Sequence, residues 1–249
     1  MNAVKNERPV VLITGAAKRV GAVIARTLHD AGYDLALHYR RSREEMDALS
    51  AELEAQRANS TLALQAELAE IENLPKLIDS VVARYGRLDG IVNNASTFYP
   101  TPIGSVAVQQ WNELFASNAQ APFFLAQAAA PHLRSARGSI VSIVDIYAQH
   151  PLAQHPVYSM AKAALAAMTR ALARELAPDV RVNAIAPGAI LWPASGKAAA
   201  DQSDLLARTP LGRIGTPADV ATAALFLLRE AKFTTGQILS VDGGRELVV

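Results

Sequence analysis

Tyr158 and Lys162 stand four residues apart at the opening of an alanine-rich stretch with helical spacing. That interval puts both side chains on one helix face. An ammonium there, helped by the positive end of the helix, would favour tyrosinate and lower the phenol pKa. A tyrosine so placed can serve as a general acid at neutral pH. Such a pair also arises by chance, and its weight here comes from its company. An apolar run leads directly into Thr14-Gly15-Ala16-Ala17-Lys18-Arg19-Val20-Gly21, where a helix begins. In a strand–turn–helix unit this loop sets helix N–H groups against a pyrophosphate. Gly15 permits the tight turn and Gly21 close helix–strand packing, while Arg19 stands near the place of the usual middle glycine.

The end of the second strand selects the dinucleotide. An acidic residue roughly 20 positions beyond the loop would bind the ribose 2′-hydroxyl of NAD(H). Asp34 has that spacing but opens the strand, at the wrong end for a ligand. The strand closes instead on His38-Tyr39-Arg40-Arg41-Ser42. Guanidinium groups beside a hydroxyl suit a 2′-phosphate dianion through charge-assisted, bidentate bonds. With Arg19 and the missing carboxylate, this favours NADP(H).

Short apolar runs alternate with helical segments along the chain and must position these groups. Strands are predicted at Pro9–Thr14, Asp34–Tyr39, Thr61–Ala66, Leu88–Asn93, Gly138–Asp145, Val180–Ile185 and Gln237–Val241. Helices are predicted at Val20–Ala31, Arg43–Ala58, Asn73–Tyr85, Gln109–Phe115, Ala121–Leu133, Tyr158–Leu176 and Pro217–Leu228. Gly32 closes the first of these at C′, and Thr216 with Pro217 opens the last. This rhythm predicts an α/β fold, a Rossmann-type doubly wound parallel sheet of seven strands with helices on both faces. Residues 1–249 read as a single domain. The stretch 187–210 shows no clear element and is expected to form a lid over the strand C-termini.

Composition narrows the function classes. The 249 residues carry 24 basic and 23 acidic side chains, a balance unlike that of a nucleic-acid binder. The chain has no cysteine, which excludes disulfides, thiolate metal sites and thiol nucleophiles, and no metal site is expected. No apolar run approaches the roughly 18 residues that span a bilayer. The polar Met1–Arg8 segment lacks a secretory or presequence pattern, so a cytoplasmic location is expected.

Thr14–Gly21, Asn93-Asn94-Ala95, Asn118, Tyr158 with Lys162, Pro187-Gly188 and Val241-Asp242-Gly243-Gly244 occur in one order along essentially the whole chain. Together they resemble the short-chain dehydrogenase/reductase family. The resemblance implies a cofactor site formed by Gly15, Arg19, Val20 and Gly21, then His38, Tyr39, Arg41 and Ser42. It continues through Glu67, Leu68, Asn94, Ala95 and Ser96 to Tyr158, Lys162, Pro187 and Gly188. Lys162 would hold the nicotinamide ribose hydroxyls, and Asn118 would connect that lysine to a water relay. A homotetramer is also implied, with the Ala121–Leu133 and Tyr158–Leu176 helices and the C-terminal tail as contacts.

The departures from the family pattern carry the substrate reading. Thirteen residues before Tyr158 the family normally has a serine that hydrogen-bonds a carbonyl oxygen; here the residue is Asp145. An ionised carboxylate only accepts hydrogen bonds and would repel a developing alkoxide. A carboxyl group does suit a substrate whose ring nitrogen must gain a proton, as in C=N reduction. Ser142, three residues earlier, stands too far back along the strand to replace that serine. Asn93–Pro102 (NNASTFYPTP), Thr14–Gly21 (TGAAKRVG), Leu37–Ser42 (LHYRRS) and Val144–Asp145 resemble the pteridine reductases within the family. By that resemblance Phe98 stacks on a flat pterin, and Arg19, Ser96, Asp145 and Tyr158 line its site. Trp192 either closes over the substrate or packs the lid onto the body. Glu67 stands where the family usually has an aspartate beside the adenine, and Ala189 and Ile190 offer only backbone to the nicotinamide amide. The expected activity is NADPH-dependent reduction of dihydropterins, with pterins or dihydrofolate as further substrates. The alternative is a short-chain carbonyl reductase such as a 3-oxoacyl-carrier-protein reductase, which would call for serine at position 145.

Overall fold

The computed structural model describes residues 7–191 and 199–248. Its strands are β1 (Val10–Ile13), β2 (Asp34–Tyr39), β3 (Thr61–Gln65), β4 (Gly90–Asn93), β5 (Ser139–Ile143), β6 (Arg181–Pro187) and β7 (Ile238–Val241). They pair in parallel in the order β3-β2-β1-β4-β5-β6-β7. The helices are α1 (Arg19–Asp30), α2 (Arg43–Gln56), α3 (Leu74–Tyr85), α4 (Val108–Phe115), α5 (Ala121–Ala136), α6 (Pro156–Leu176), α7 (Ala199–Ala207) and α8 (Pro217–Leu225).

Continuous apolar strands arise because both sheet faces are covered. All four residues of β1 are buried, and successive side chains serve opposite layers. Val11 and Ile13 pack with Ile24 and Leu28 of α1, Leu49 and Leu53 of α2 and Val220 of α8. Val10 and Leu12 pack with Ile78 and Val81 of α3 and with Leu125 and Leu133 of α5. Strand order reverses at β1, with β2 on one side and β4 on the other. A crevice for a ligand opens beyond the carboxyl ends of strands at such a point. The residues after β1 and β4 therefore face a common site. Among the described residues no helix is long and apolar enough to cross a membrane.

The predicted elements are all present, with shifts that matter in three places. The segments predicted as separate helices at Gln109–Phe115 and Ala121–Leu133 are joined by a π-helical turn, Ala116–Gln120. The wider turn accommodates the buried Asn118, whose Nδ2 donates to Leu114 O at 2.9 Å. The helix predicted from Tyr158 starts at Pro156, because proline suits the first helical position, and this places Tyr158 in the first turn. The stretch 187–210 does contain an element, α7; the alanine and leucine residues of the run 199–207 favour a helix despite the prolines on either side.

Candidate active site

The glycine loop and the turn after β4 hold one another. Gly15 leaves β1 at φ +63°, and a Cβ there would sit 3.0 Å from Ala95 Cα. A Cβ on Gly21 would lie 2.3 Å from Gly15 O and 2.6 Å from Asn94 Nδ2, so no side chain fits. Asn94 produces this closeness, since its Nδ2 donates to Thr14 O and Gly15 O at 3.0 Å each. Thr14 Oγ1 in turn accepts from the N–H groups of Asn94 and Ala95, both at 3.0 Å. Arg19 takes over the backbone conformation of the glycine it replaces, at φ +52°. For a side-chain-bearing residue that costs on the order of 1–2 kcal/mol. The following α1 opens with N–H groups that have no partner within the helix. Arg19 is exposed, and among the described residues its guanidinium makes no hydrogen bond or ion pair.

Ion pairing sorts the cations beyond β2. Lys18 pairs with Glu45 at 2.5 Å, Arg40 with Glu67 at 2.5 Å and Arg43 with Asp47 at 3.6 Å. Arg41 is exposed and has no such partner among the described residues. Ser42 precedes α2 without capping it through its side chain. An anion at this edge would therefore meet Arg41 and Ser42. Asp34 lies at the opposite strand end, beside the Arg57 guanidinium at 3.4 Å. Two residues expected against the cofactor point into the protein instead. Tyr39 packs in the core at 7% exposure. His38 is buried, and both its ring nitrogens meet backbone groups of Gly15 and Ala66. Glu67 is turned towards Arg40, and Leu68 is buried beneath it.

Beyond β5 the acidic and phenolic groups meet. Tyr158 Oη donates to Asp145 Oδ2 at 2.7 Å, while Tyr147 N–H donates to Asp145 Oδ1 at 3.0 Å. The extended backbone of Asp145 opens the short turn Ile146–Ala148, and the carboxylate caps it. Ser142 is wholly buried and accepts from Asn93 Nδ2 at 3.2 Å, so it stays inside the strand ladder. Lys162 is also buried; its ammonium donates to Ile143 O at 2.8 Å and lies 5.7 Å from the Tyr158 ring centre. Burial lowers the Lys162 pKa to about 8, with Asp145 opposing that shift. Burial likewise raises the Asp145 carboxyl, against the hydrogen bonds from Tyr147 and Tyr158 and the charge of Lys162.

The side chains around Tyr158 push its pKa up, opposite to the lowering expected from Lys162 and the helix end. Burial raises it well above its ordinary value, and the neighbouring Asp145 charge and hydrogen bond add to the rise. Lys162 directs one of its three N–H groups to the Ile143 carbonyl, and desolvation weakens its hold on a proton. Tyr158 is a proton holder here. Ser96 lies near the phenol but directs its hydroxyl elsewhere. Its hydroxyl donates to Asn118 Oδ1 at 2.7 Å, and Asn118 Nδ2 donates to Thr97 O at 2.9 Å. Asn118 thus supports the Ser96–Thr97 turn, and among the described residues its hydrogen bonds do not include Lys162.

Phe98 follows that turn and is 54% exposed. Its ring meets the Tyr158 ring edge-on at 4.8 Å and 81°, and stacks on His155 at 4.6 Å and 8°. His155 was not anticipated; its signal is its place three residues before Tyr158, directly ahead of the α6 proline. Its Nδ1 lies 2.8 Å from Ala153 O, so that nitrogen carries the proton. Thr101 N–H donates to Gln154 O at 2.7 Å and pins the Phe98 loop beside α6. At the end of β6, Gly188 N–H donates to Val241 O at 3.1 Å, and a Cβ on Gly188 would lie 2.8 Å from Asp242 Cβ. Pro187 ends the strand just before it. Trp192 lies outside the described residues.

The reversal of strand order, the clamped glycine loop and the Tyr–Lys pair beyond β5 form one arrangement. A family profile described as Enoyl-(Acyl carrier protein) reductase matches residues 15–246. The chain belongs to the short-chain dehydrogenase/reductase family. It is therefore an oxidoreductase, and membership implies a nicotinamide cofactor. The chain is 37% identical over 280 residues to pteridine reductase 1 of Leishmania tarentolae, covering 96% of each. It is 37% identical over 247 residues to the L-fucose dehydrogenase of Oryctolagus cuniculus, covering 96% of this chain and 85% of that one. A 3-oxoacyl-[acyl-carrier-protein] reductase of Staphylococcus aureus is 32% identical over 237 residues, covering 94% of this chain and 96% of its own.

Proposed function

We propose that the protein is an NADPH-dependent reductase of C=N bonds in pterin-like heterocycles, dihydropterins first, with oxidised pterins or dihydrofolate as further substrates. The observation that carries this reading is the 2.7 Å hydrogen bond from Tyr158 to Asp145. The residues fit the cofactor: the Gly15–Gly21 approach leaves no room for a side chain, and Arg41 with Ser42 offers an uncommitted charge and hydroxyl. The loop residues Gly15, Arg19, Val20 and Gly21 would hold the pyrophosphate, and Arg41 and Ser42 the 2′-phosphate. Glu67, Leu68, Asn94, Ala95 and Ser96 would border the adenosine and nicotinamide halves, with Pro187 and Gly188 on the far wall. Lys162 would hold the nicotinamide ribose. The bound nicotinamide supplies a hydride to the ring carbon.

The chain's own groups supply the proton. Tyr158 keeps its proton on Oη near neutrality and can deliver it to the adjacent ring nitrogen. Once Tyr158 has given up its proton, the Asp145 carboxylate would take one from solvent and pass it to Oη, restoring the hydrogen bond between them; burial, which raises the Asp145 carboxyl, favours that uptake. A ketone needs no carboxyl at this point. Phe98 would cover one face of a flat substrate, aromatic stacking contributing about 0.5–1.5 kcal/mol beyond buried area. Arg19 and Ser96 would contact the substrate's polar edge.

Residues 1–249 act as one domain in this reading, with 187–210 as the lid. A homotetramer is part of the reading, with α5, α6 and the C-terminal tail as contacts; exposed apolar side chains such as Phe123 on α5 suit a covered face. A cytoplasmic location is part of the same proposal. Steady-state NADPH oxidation with dihydrobiopterin and with dihydrofolate tests the substrate. Turnover of a 3-oxoacyl ester with none of any pterin would overturn it in favour of a carbonyl reductase.

A further inference from the structure

His38 stands next to last in β2, where the family resemblance places it against the cofactor. Its ring is instead 1% exposed, and both nitrogens are committed. Gly15 N–H donates to Nδ1 at 3.1 Å. A backbone N–H can only donate, so Nδ1 presents its lone pair and the ring proton sits on Nε2. Nε2 faces Ala66 O at 3.1 Å, a carbonyl that only accepts. The imidazole is thereby fixed as one neutral tautomer. Its main chain adds two ties: Ala16 N–H donates to His38 O at 2.9 Å, and Ala66 N–H to the next carbonyl, Tyr39 O, at 3.2 Å. One residue joins the start of the glycine loop to the turn that carries Glu67.

We propose that His38 is a positioning residue for the dinucleotide, its Nδ1 lone pair turning the Gly15 N–H inward and so setting the loop that cradles the pyrophosphate. This rests on the nicotinamide dinucleotide reading of the loop but not on the pterin substrate. Gly15 leaves the strand in a left-handed conformation that several orientations of its peptide would allow. The acceptor behind it selects one. Without that acceptor, a buried donor is left unsatisfied and the loop must shift to recover a partner.

Two substitutions separate the ring nitrogens. In His38→Asn the amide oxygen can stand where Nδ1 stood, keeping an acceptor for Gly15. In His38→Gln the amide nitrogen can stand where Nε2 stood, keeping the donor to Ala66 and losing the acceptor. Dissociation constants for NADPH and NADH, read by nucleotide fluorescence, should rise about tenfold for both in His38→Gln. They should stay within about threefold of the parent in His38→Asn. Equal losses in the two variants would reduce His38 to packing. A loss for NADPH alone would make it a direct phosphate contact. Either result, or no loss at all, overturns the proposal. Failure of the unaltered protein to bind either dinucleotide would instead overturn the cofactor reading beneath it. Should a variant not fold, long-range ¹H–¹⁵N NMR of the unaltered protein reads the tautomer. Protonated Nε2 with bare Nδ1 supports the assignment, and protonated Nδ1 contradicts it.

Discussion

Replacing Asp145 by serine restores the residue the family normally carries and removes the group on which the pterin reading depends. The carboxylate accepts from Tyr158 at 2.7 Å and from Tyr147 N–H at 3.0 Å. A serine oxygen, one bond closer to the backbone, cannot serve both. A hydrogen bond involving an ionised group contributes about 1.5–3 kcal/mol, and a positioned acid–base group about 10²–10⁴ in rate. Loss of the bond alone corresponds to roughly ten- to 150-fold, and loss of proton return to the upper part of the catalytic range. We expect kcat for dihydropterin to fall about 100-fold in Asp145→Ser, with NADPH affinity within about twofold. Stopped-flow NADPH oxidation and fluorescence titration measure the two separately. Tyr158 should also titrate lower in the variant, because the Asp145 charge and hydrogen bond both raise it. Unchanged pterin turnover would refute the proton-return role. A parallel collapse of cofactor binding would show that Asp145 acts through the fold.

Arg41→Ala should weaken NADPH binding about tenfold or more and leave NADH within about twofold, as loss of a charge-assisted phosphate contact demands. An unchanged preference would place the phosphate elsewhere. Phe98→Ala should raise KM for a pterin about three- to tenfold, from the lost stacking, with little effect on kcat. A wholly kcat effect would contradict that. Gly21→Ala, with its Cβ 2.3 Å from Gly15 O, should lower stability by about 1–3 kcal/mol and cofactor affinity with it; urea unfolding reads the first. Lys162 titrates at about 8 when folded and 10.5 when free. Between these values the unfolded chain binds the extra proton, so this group makes stability rise with pH, by up to about 3 kcal/mol. Below pH 8 the burial penalty is constant. The stability difference between the parent protein and Lys162→Met should therefore grow in the parent's favour from pH 8 to 10, and a flat difference would place Lys162 in a more polar environment.

Much of the frame was legible because periodicity and burial coincide. β1 reads as a doubly buried strand from Pro9–Thr14, and the Thr216–Pro217 cap marks α8. The doubly wound parallel sheet followed from the alternation of elements and the loop motif, whereas the meeting of Thr14 with Asn94 appears only in the structure. The place of Arg19 near the missing glycine was legible, but its left-handed backbone was not. Other features were hidden because they depend on which atoms desolvate one another. The direction of the Tyr158 shift depends on burial, which helix spacing does not report. His38 looked like a ligand contact because its partners are backbone groups far away in sequence. Arg40 and Arg41 are adjacent, and only the position of Glu67 shows that the former is engaged. The π turn at Asn118 has no propensity signature, and α7 was obscured by its proline- and glycine-containing surroundings.

The central claim is that Tyr158, backed by Asp145, serves a heterocyclic nitrogen. A crystal structure of the protein with NADP⁺ and a dihydropterin tests it most directly. The account predicts a ring nitrogen about 3 Å from Tyr158 Oη, with the Phe98 ring flat against the pterin. A pterin held with only carbon facing Tyr158, or Asp145 turned away from the phenol, would contradict it.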